Sequence, residues 1–274
     1  MEIDSSDKNH KRLVDFVCDK IEFMSRPRDC GVVWGSTPVV SFGDFTKAKV
    51  ATIGINPSSA EFADKSSSAS TNGLFPMAKK RLADGEMLGL LSMDPLEDDT
   101  AISVIGPEEA KQIWEGCRDY FKGPNAYWSW FKDLERIVNS VGSSYKDDSA
   151  CHLDLSPWAT DPIFRDLTKP QQERLLLGEA DFLRWQIAKS DIELVIFNSA
   201  QAFDCLNTLE DFNIFKFGEI EYTSGGASRA SSLYHGFGPG GTTVLGWSLN
   251  LQALQMTVEE KEKVFQKLEN WLVQ

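Results

Sequence analysis

The chain has 274 residues and a mass of 30.6 kDa, with 42% hydrophobic and 25% charged residues, an ordinary composition for a globular protein with a sizeable core. Its formal net charge of −13 argues against broad, non-specific attraction to nucleic acid, although the field over one cleft can differ from the net value. No apolar run approaches the roughly 20 residues of a membrane span, the N-terminus lacks the order of a signal peptide, and the scattered Cys18, Cys30, Cys117, Cys151 and Cys205 contain no Cys-x-x-Cys pair, so a cytoplasmic location, reduced thiols and no structural metal are expected.

Taken in chain order, Leu13, Phe16, Val17, Ile21 and Met24 recur at helical spacing and predict an N-terminal helix over about 8–26, stopped by Pro27. Val39–Phe42 and Lys49–Ile55 read as strands joined by a Gly-Asp turn. A polar loop over 63–73 precedes an expected helix from Pro76 to Leu91 and an acidic loop at 94–99. Pro107–Phe121 and Asn125–Val141 predict helices separated by Gly123-Pro124, and Cys151–Leu155 predicts a short strand closed by Ser156-Pro157-Trp158. Lys169–Lys189 reads as a helix, and Glu193–Phe197 as a buried strand whose following helix starts at the capping residues Asn198 and Ser199. Phe215–Tyr222 reads as a hairpin arm leading into the glycine-rich stretch 225–241; Thr242–Leu245 is the last strand and Val258–Val273 the closing helix. Strands alternating with helices of these lengths predict an α/β fold, a three-layer sandwich around a central, mainly parallel four-stranded sheet flanked by helices. The expected organisation is one domain over 1–274 with insertions around 63–124 and 210–241.

The run from Val50 through Gly54-Ile55-Asn56-Pro57-Ser58-Ser59 ends a buried strand on a polar amide, and Pro57 prevents the strand from continuing. In open α/β sheets ligands bind at the carboxyl ends of strands, which makes Asn56 the first candidate catalytic residue. Two other strand ends carry polar groups, Asp154 with Ser156, and Ser248 with Asn250; a parallel sheet would bring all three ends to one edge. Phe75, after the polar loop, would offer an aromatic plate near that edge, while Trp158 and Trp247 are open between pocket wall and core. Candidate phosphate contacts are Lys79-Lys80-Arg81, which a solvated helix face also explains, and Arg229 in the glycine-rich stretch beside Tyr234 and His235. His152 and His235 are open between proton transfer and a structural role. The aromatic cluster Tyr127–Phe131 points in several directions on a helix and is expected to be mostly core.

Gly54-Ile55-Asn56-Pro57 resembles the first motif of the uracil-DNA glycosylase superfamily, in the form shared with the mismatch-specific thymine/uracil glycosylases. Gly73-Leu74-Phe75 is similar to the segment whose aromatic residue stacks on the flipped base, and Leu153-Asp154-Leu155-Ser156-Pro157-Trp158 to the second-strand motif that reads the base. Ser248-Leu249-Asn250 is similar to the tail of the final motif, which borders the DNA backbone, and Glu193–Phe197 with its helix to the third-strand unit. The resemblance covers about 37–257 in order. It implies a monomeric, cofactor-free, monofunctional DNA glycosylase that extrudes a base before cleaving its glycosidic bond. Asn56 would orient the attacking water through its side-chain oxygen, and donors such as Ser248 and Ser156 would stabilise the departing base.

Two departures from the family pattern bear on the substrate. Ser58 follows Pro57 where strictly uracil-selective members carry an aromatic barrier to C5 substituents, and Gly246-Trp247 stands where they carry the uracil-polarising His. An ionised Asp154 facing the pocket would accept from an exocyclic amino group, as carboxylates do with cytosine N4, and disfavour the O4 of uracil. The expectation is therefore a C5-modified cytosine, such as occurs hypermodified in bacteriophage DNA, for which antiviral defence would be the setting. Asp154 as a cap for the turn at Ser156-Pro157 stays open. So do removal of uracil or mismatched thymine in repair, non-catalytic reading of modified DNA, and action on a small nucleoside or nucleotide.

Overall fold

A computed structural model describes residues 5–62, 81–90, 105–177, 179–253 and 256–273. In chain order the main elements are α1 (Ser5–Phe23), β1 (Val50–Gly54), α2 (Pro107–Arg118), α3 (Trp128–Ser140), β2 (Ala150–Asp154), α4 (Lys169–Leu176) and α5 (Ala180–Lys189). There follow β3 (Leu194–Asn198), α6 (Ala200–Leu206), β4 (Asn213–Ser224), β5 (Ala227–Phe237), β6 (Thr243–Trp247) and α7 (Val258–Leu272). Among the described residues no helix is long and apolar enough to cross a membrane. The chain divides into two compact units, each built from three separate segments.

One unit comprises Lys47–Gly54, Trp128–Leu153 and Phe182–Gln274 and carries the sheet, in strand order β2-β1-β3-β6-β5-β4. β1 pairs parallel with β3 from Val50 opposite Leu194 to Ile53 opposite Phe197, and β3 pairs parallel with β6 from Leu194 opposite Thr243 to Asn198 opposite Trp247. Ala51, Ile53, Val195, Ile196, Phe197 and Val244 are all buried, as expected of strands covered on both faces. Gly246 permits the closest of these approaches: a Cβ there would lie 2.4 Å from the Phe197 ring. Ser199 begins α6 by accepting the Ala202 N–H, at 3.0 Å, on its side chain. Arg136 of α3 reaches Glu262 and Glu269 of α7, and Lys261 of α7 reaches Asp133 of α3, at 2.6 Å.

The expected four-stranded sheet is corrected to a six-stranded sheet of mixed direction. The stretch read as an insertion supplies the two extra strands. β5 pairs antiparallel with β6 from Leu233 opposite Trp247 to Phe237 opposite Thr243, and β4 pairs antiparallel with β5. Gly225 and Gly226, at φ 59° and 78°, form the two-residue turn between β4 and β5, a conformation that matches strand twist and that glycine adopts without strain.

The other unit comprises Met1–Thr46, Ile55–Tyr127 and Asp154–Asp181. Here α1 packs on α2, Trp114 meets Phe45 edge-on at 5.5 Å, and Cys30, Val32, Trp158, Phe164, Leu167 and Leu175 form one apolar cluster. Three sequence readings need correction in this unit. Residues 39–42 form no strand: the buried run follows Pro38, and Val39 donates to the Pro157 carbonyl at 2.8 Å. Residues 81–90 of the expected 76–91 helix are turns, because Asp84 accepts the Met87 N–H at 3.0 Å and Gly89 takes φ 69°; residues 76–80 and 91 lie outside the described set. The helix read over 169–189 is two helices, since Leu177 leaves α4 at ψ 125° and α5 starts at Ala180.

Candidate functional site

Asn56 follows β1 by two residues and belongs to the unit without the sheet. The segment it opens runs beside the segment that opens at Asp154. Ser156 donates its N–H to the Ile55 carbonyl at 2.9 Å, and Ser58 bridges to Thr160 in parallel register. Between these segments the Asn56 amide nitrogen donates to the carbonyls of Pro57 (3.3 Å) and Trp158 (3.1 Å) and to the Thr160 hydroxyl (3.0 Å). Carbonyl oxygens only accept, so the group facing them must be the NH2, and the orientation of the amide is fixed. The side-chain oxygen is left as an acceptor pointing away from that anchor.

Beyond Pro57 the chain turns through a 3-10 turn, Ser59–Glu61. Ser58, itself exposed, caps it by accepting the Ala60 N–H at 3.2 Å, and the Glu61 N–H returns to the Ser58 carbonyl at 3.0 Å. This turn drives Glu61 inward to 2% exposure, where it accepts the Tyr120 hydroxyl at 2.7 Å. Tyr120 in turn accepts the Tyr127 N–H at 3.0 Å. Arg81 lies over the Tyr127 ring at 4.3 Å, donates to the Ala60 carbonyl, and gives its own N–H to the Glu61 carbonyl at 2.9 Å. Burial pushes the Glu61 carboxyl up to about 7; the Tyr120 bond and the Arg81 charge oppose the rise, and the Asp154 charge adds to it. Burial and Glu61 together hold Tyr120 far above the ordinary phenol range.

Sequence reasoning missed Glu61. Ser58-Ser59-Ala60-Glu61 has the spacing of a capping box, which assigns the glutamate to a solvated helix start. The serine does cap, but the carboxyl goes to Tyr120, 59 positions away, and no local pattern encodes that.

The other sequence candidates divide between the two units. Asp154 ends β2 half-buried, close enough to Glu61 to act on it electrostatically. Ser156 is fully buried, its hydroxyl accepting the Trp158 N–H at 3.4 Å. The Trp158 ring is 1% exposed in the apolar cluster, so its carbonyl, rather than its ring, serves Asn56. Arg81 is taken up in supporting the Ser58–Glu61 turn. Phe75, Lys79 and Lys80 lie outside the described residues. In the sheet unit, Ser248 clips the end of β6 to β5: its N–H donates to the Ser232 carbonyl at 3.0 Å and its hydroxyl accepts the Ser232 N–H at 2.9 Å. Asn250 is exposed and accepts the Gln252 N–H at 3.0 Å, and Arg229 is exposed near the β4–β5 turn, opposite Tyr222. Trp247 is core, with its indole N–H on Asn198 at 2.9 Å.

The two histidines have local structural partners in the same unit. His152 is 2% exposed, bonded to the Thr52 hydroxyl at 2.7 Å and edge-on to Trp130 and Phe131. His235 lies on β5 between the rings of Phe215 and Phe237, at 5.8 and 5.6 Å. A cavity of about 820 Å³ between α3 and α7 contains none of the candidates. No group of three or more His, Cys, Asp or Glu among the described residues is placed to hold a metal ion.

One end of the Ile55–Glu61 segment thus presents a fixed amide oxygen and the other a buried carboxyl with a proton affinity near neutrality, with Asp154 beside it. Such a set can orient a water and move a proton. In comparison with known proteins, no family model and no curated protein matches the chain.

Proposed function

We propose that the chain is a DNA glycosylase that hydrolyses the N-glycosidic bond of a flipped-out, C5-modified cytosine. The observation that supports the reading is the anchoring of Asn56: among the described residues its amide nitrogen bonds to Pro57, Trp158 and Thr160, which leaves the side-chain oxygen available for a second task. That task is to hold a water against C1′ of the sugar while the bond to the base lengthens. An amide oxygen suits this step because positive charge builds on the sugar before the nucleophile bonds, so a weakly basic acceptor that orients water suffices.

Ser58 supports a substrate with a C5 substituent, since a small exposed side chain follows the Asn-Pro pair. Asp154 supports an amino-bearing base, since a carboxylate accepts from N4 of cytosine and repels O4 of uracil. Arg229 and Asn250, both exposed, are suited to contact the backbone of such a DNA. Bulky cytosine modifications of this kind mark bacteriophage genomes, which gives the activity a setting in antiviral defence.

The test is release of free base, read by chromatography, from duplexes carrying 5-methylcytosine, 5-hydroxymethylcytosine, a glycosylated 5-hydroxymethylcytosine, uracil or a mismatched thymine. The reading expects release of a modified cytosine. Release of uracil or thymine alone would move the chain to base-excision repair, and binding to modified duplexes without release would make it a reader.

A further inference from the structure

The three acceptors that hold the Asn56 amide are not equivalent. The Pro57 carbonyl, the farthest at 3.3 Å, belongs to the adjoining residue and ties the side chain only to its own segment. The Trp158 carbonyl, at 3.1 Å, is backbone and would be present whatever residue stood at 158. The Thr160 hydroxyl, at 3.0 Å, is the one of the three that depends on the identity of a side chain. No feature of the sequence singles it out.

Thr160 is also held from several sides. It is 1% exposed, and its backbone bridges antiparallel to Val32 and parallel to Ser58. On one side of it the Ala159 carbonyl accepts the Val33 N–H at 2.9 Å, and on the other Asp161 donates its N–H to the Gly31 carbonyl at 2.8 Å. A β-branched side chain on backbone pinned in this way has few rotamers, so its hydroxyl is a fixed point of the fold.

We infer that Thr160 is the positioning residue that aims the Asn56 side-chain oxygen in the hydrolysis. The inference rests on the glycosylase reading above. An amide NH2 has two hydrogens, and bonding them to the Trp158 carbonyl and the Thr160 hydroxyl defines the plane of the amide. The oxygen on its far side then has one direction. Without the Thr160 hydroxyl the second hydrogen turns to the Pro57 carbonyl, and the plane turns with it. Both hydrogens still have acceptors, so the fold and the affinity for DNA are kept while the water held by the oxygen is misaimed. A misplacement of about 1 Å is enough to cost on the order of 100-fold in rate. Thr160 itself touches neither the water nor the sugar and acts through Asn56.

The experiment compares Thr160→Val and Thr160→Ser with wild type in single-turnover base release and in dissociation constant on a modified-cytosine duplex, with thermal denaturation as the check of folding. Valine keeps the shape of threonine without the hydroxyl, and serine keeps the hydroxyl. Thr160→Ala, which also removes the hydroxyl, serves the same comparison if the valine variant does not fold. Thr160→Val should release base about 10- to 100-fold more slowly with a dissociation constant within about threefold of wild type, and Thr160→Ser should stay within about threefold in both. In the ligand-free protein the side-chain amide proton resonances missing in Asn56→Ala belong to Asn56; they should shift in Thr160→Val and keep their positions in Thr160→Ser. A Thr160→Val rate equal to wild type, a loss of rate that follows lost DNA affinity, or Asn56 resonances unmoved by removal of the hydroxyl overturns the inference and leaves the glycosylase reading intact. No base release by wild type from any duplex overturns that reading, and the role of Thr160 in hydrolysis falls with it even where the resonances shift.

Discussion

Replacing Glu61 by glutamine should stabilise the protein at pH 8 and leave it unchanged at pH 4. The carboxyl has a value of about 7 in the fold against an ordinary value of 4.5. Below pH 4.5 the folded and unfolded chains both hold the proton, so the group makes no pH-dependent contribution. Between about 4.5 and 7 the folded chain binds more protons than the unfolded chain, and stability therefore falls as pH rises. Above 7 the loss is complete; at about 1.4 kcal/mol per pH unit it amounts to about 3 kcal/mol. The glutamine side chain of the variant is neutral at every pH and can still accept the Tyr120 hydroxyl, so the variant escapes this loss. Urea denaturation of both proteins at half-unit intervals from about pH 4 to 8.5 measures the difference directly, since all other titrating groups are shared. The difference should grow in favour of the variant across the window and then plateau. A difference constant with pH, or a variant less stable at pH 8, would refute the burial argument for Glu61.

Tyr120→Phe removes the hydrogen bond that favours the ionised form of Glu61, so the upper edge of the same window should move above 7 in the same denaturation series. Asp154→Asn should shift base release from modified cytosine toward uracil, because an amide can donate to O4; equal preference in both proteins would remove Asp154 from base reading. Gly246→Ala places a Cβ 2.4 Å from a Phe197 ring with no room to move, so unfolding should cost about 2 kcal/mol less than for wild type, without an effect on the pH dependence of Glu61.

The elements that the sequence made legible are those whose signal is local. β1, β2, β3 and β6 lie on short, mostly apolar stretches, and α6 starts where Ser199 can cap it. Val39–Phe42 has an equally apolar run and forms no strand, because burial outside a sheet leaves the same trace in a sequence as burial within one. Phe215–Tyr222 was legible as a hairpin arm, but the glycine-rich stretch after it hid β5 (Ala227–Phe237), whose pairing with β6 depends on contacts between Leu233–Phe237 and Thr243–Trp247 that no window of sequence contains. The same divide runs through the site. Asn56 stood out because an amide before a proline interrupts a strand. Its anchor on Trp158 and Thr160, and the partnership of Glu61 with Tyr120, span about a hundred and about sixty positions respectively and required the fold. Trp158 shows the converse, since a tryptophan at a strand end reads equally as pocket wall or core, and the fold makes it core.

The central claim is that the anchored Asn56 amide orients the hydrolytic water, and the most direct measurement of it pairs two numbers for Asn56→Ala on one modified-cytosine duplex. The first is the single-turnover rate of base release and the second is the dissociation constant. Loss of the side chain leaves the Trp158 carbonyl without its donor, at a stability cost of about 1 kcal/mol, which keeps the variant folded for both assays. The account predicts a rate at least about 100-fold below wild type with the dissociation constant within a few-fold. A variant that releases base at the wild-type rate, or whose lost activity follows entirely from lost DNA affinity, would contradict it.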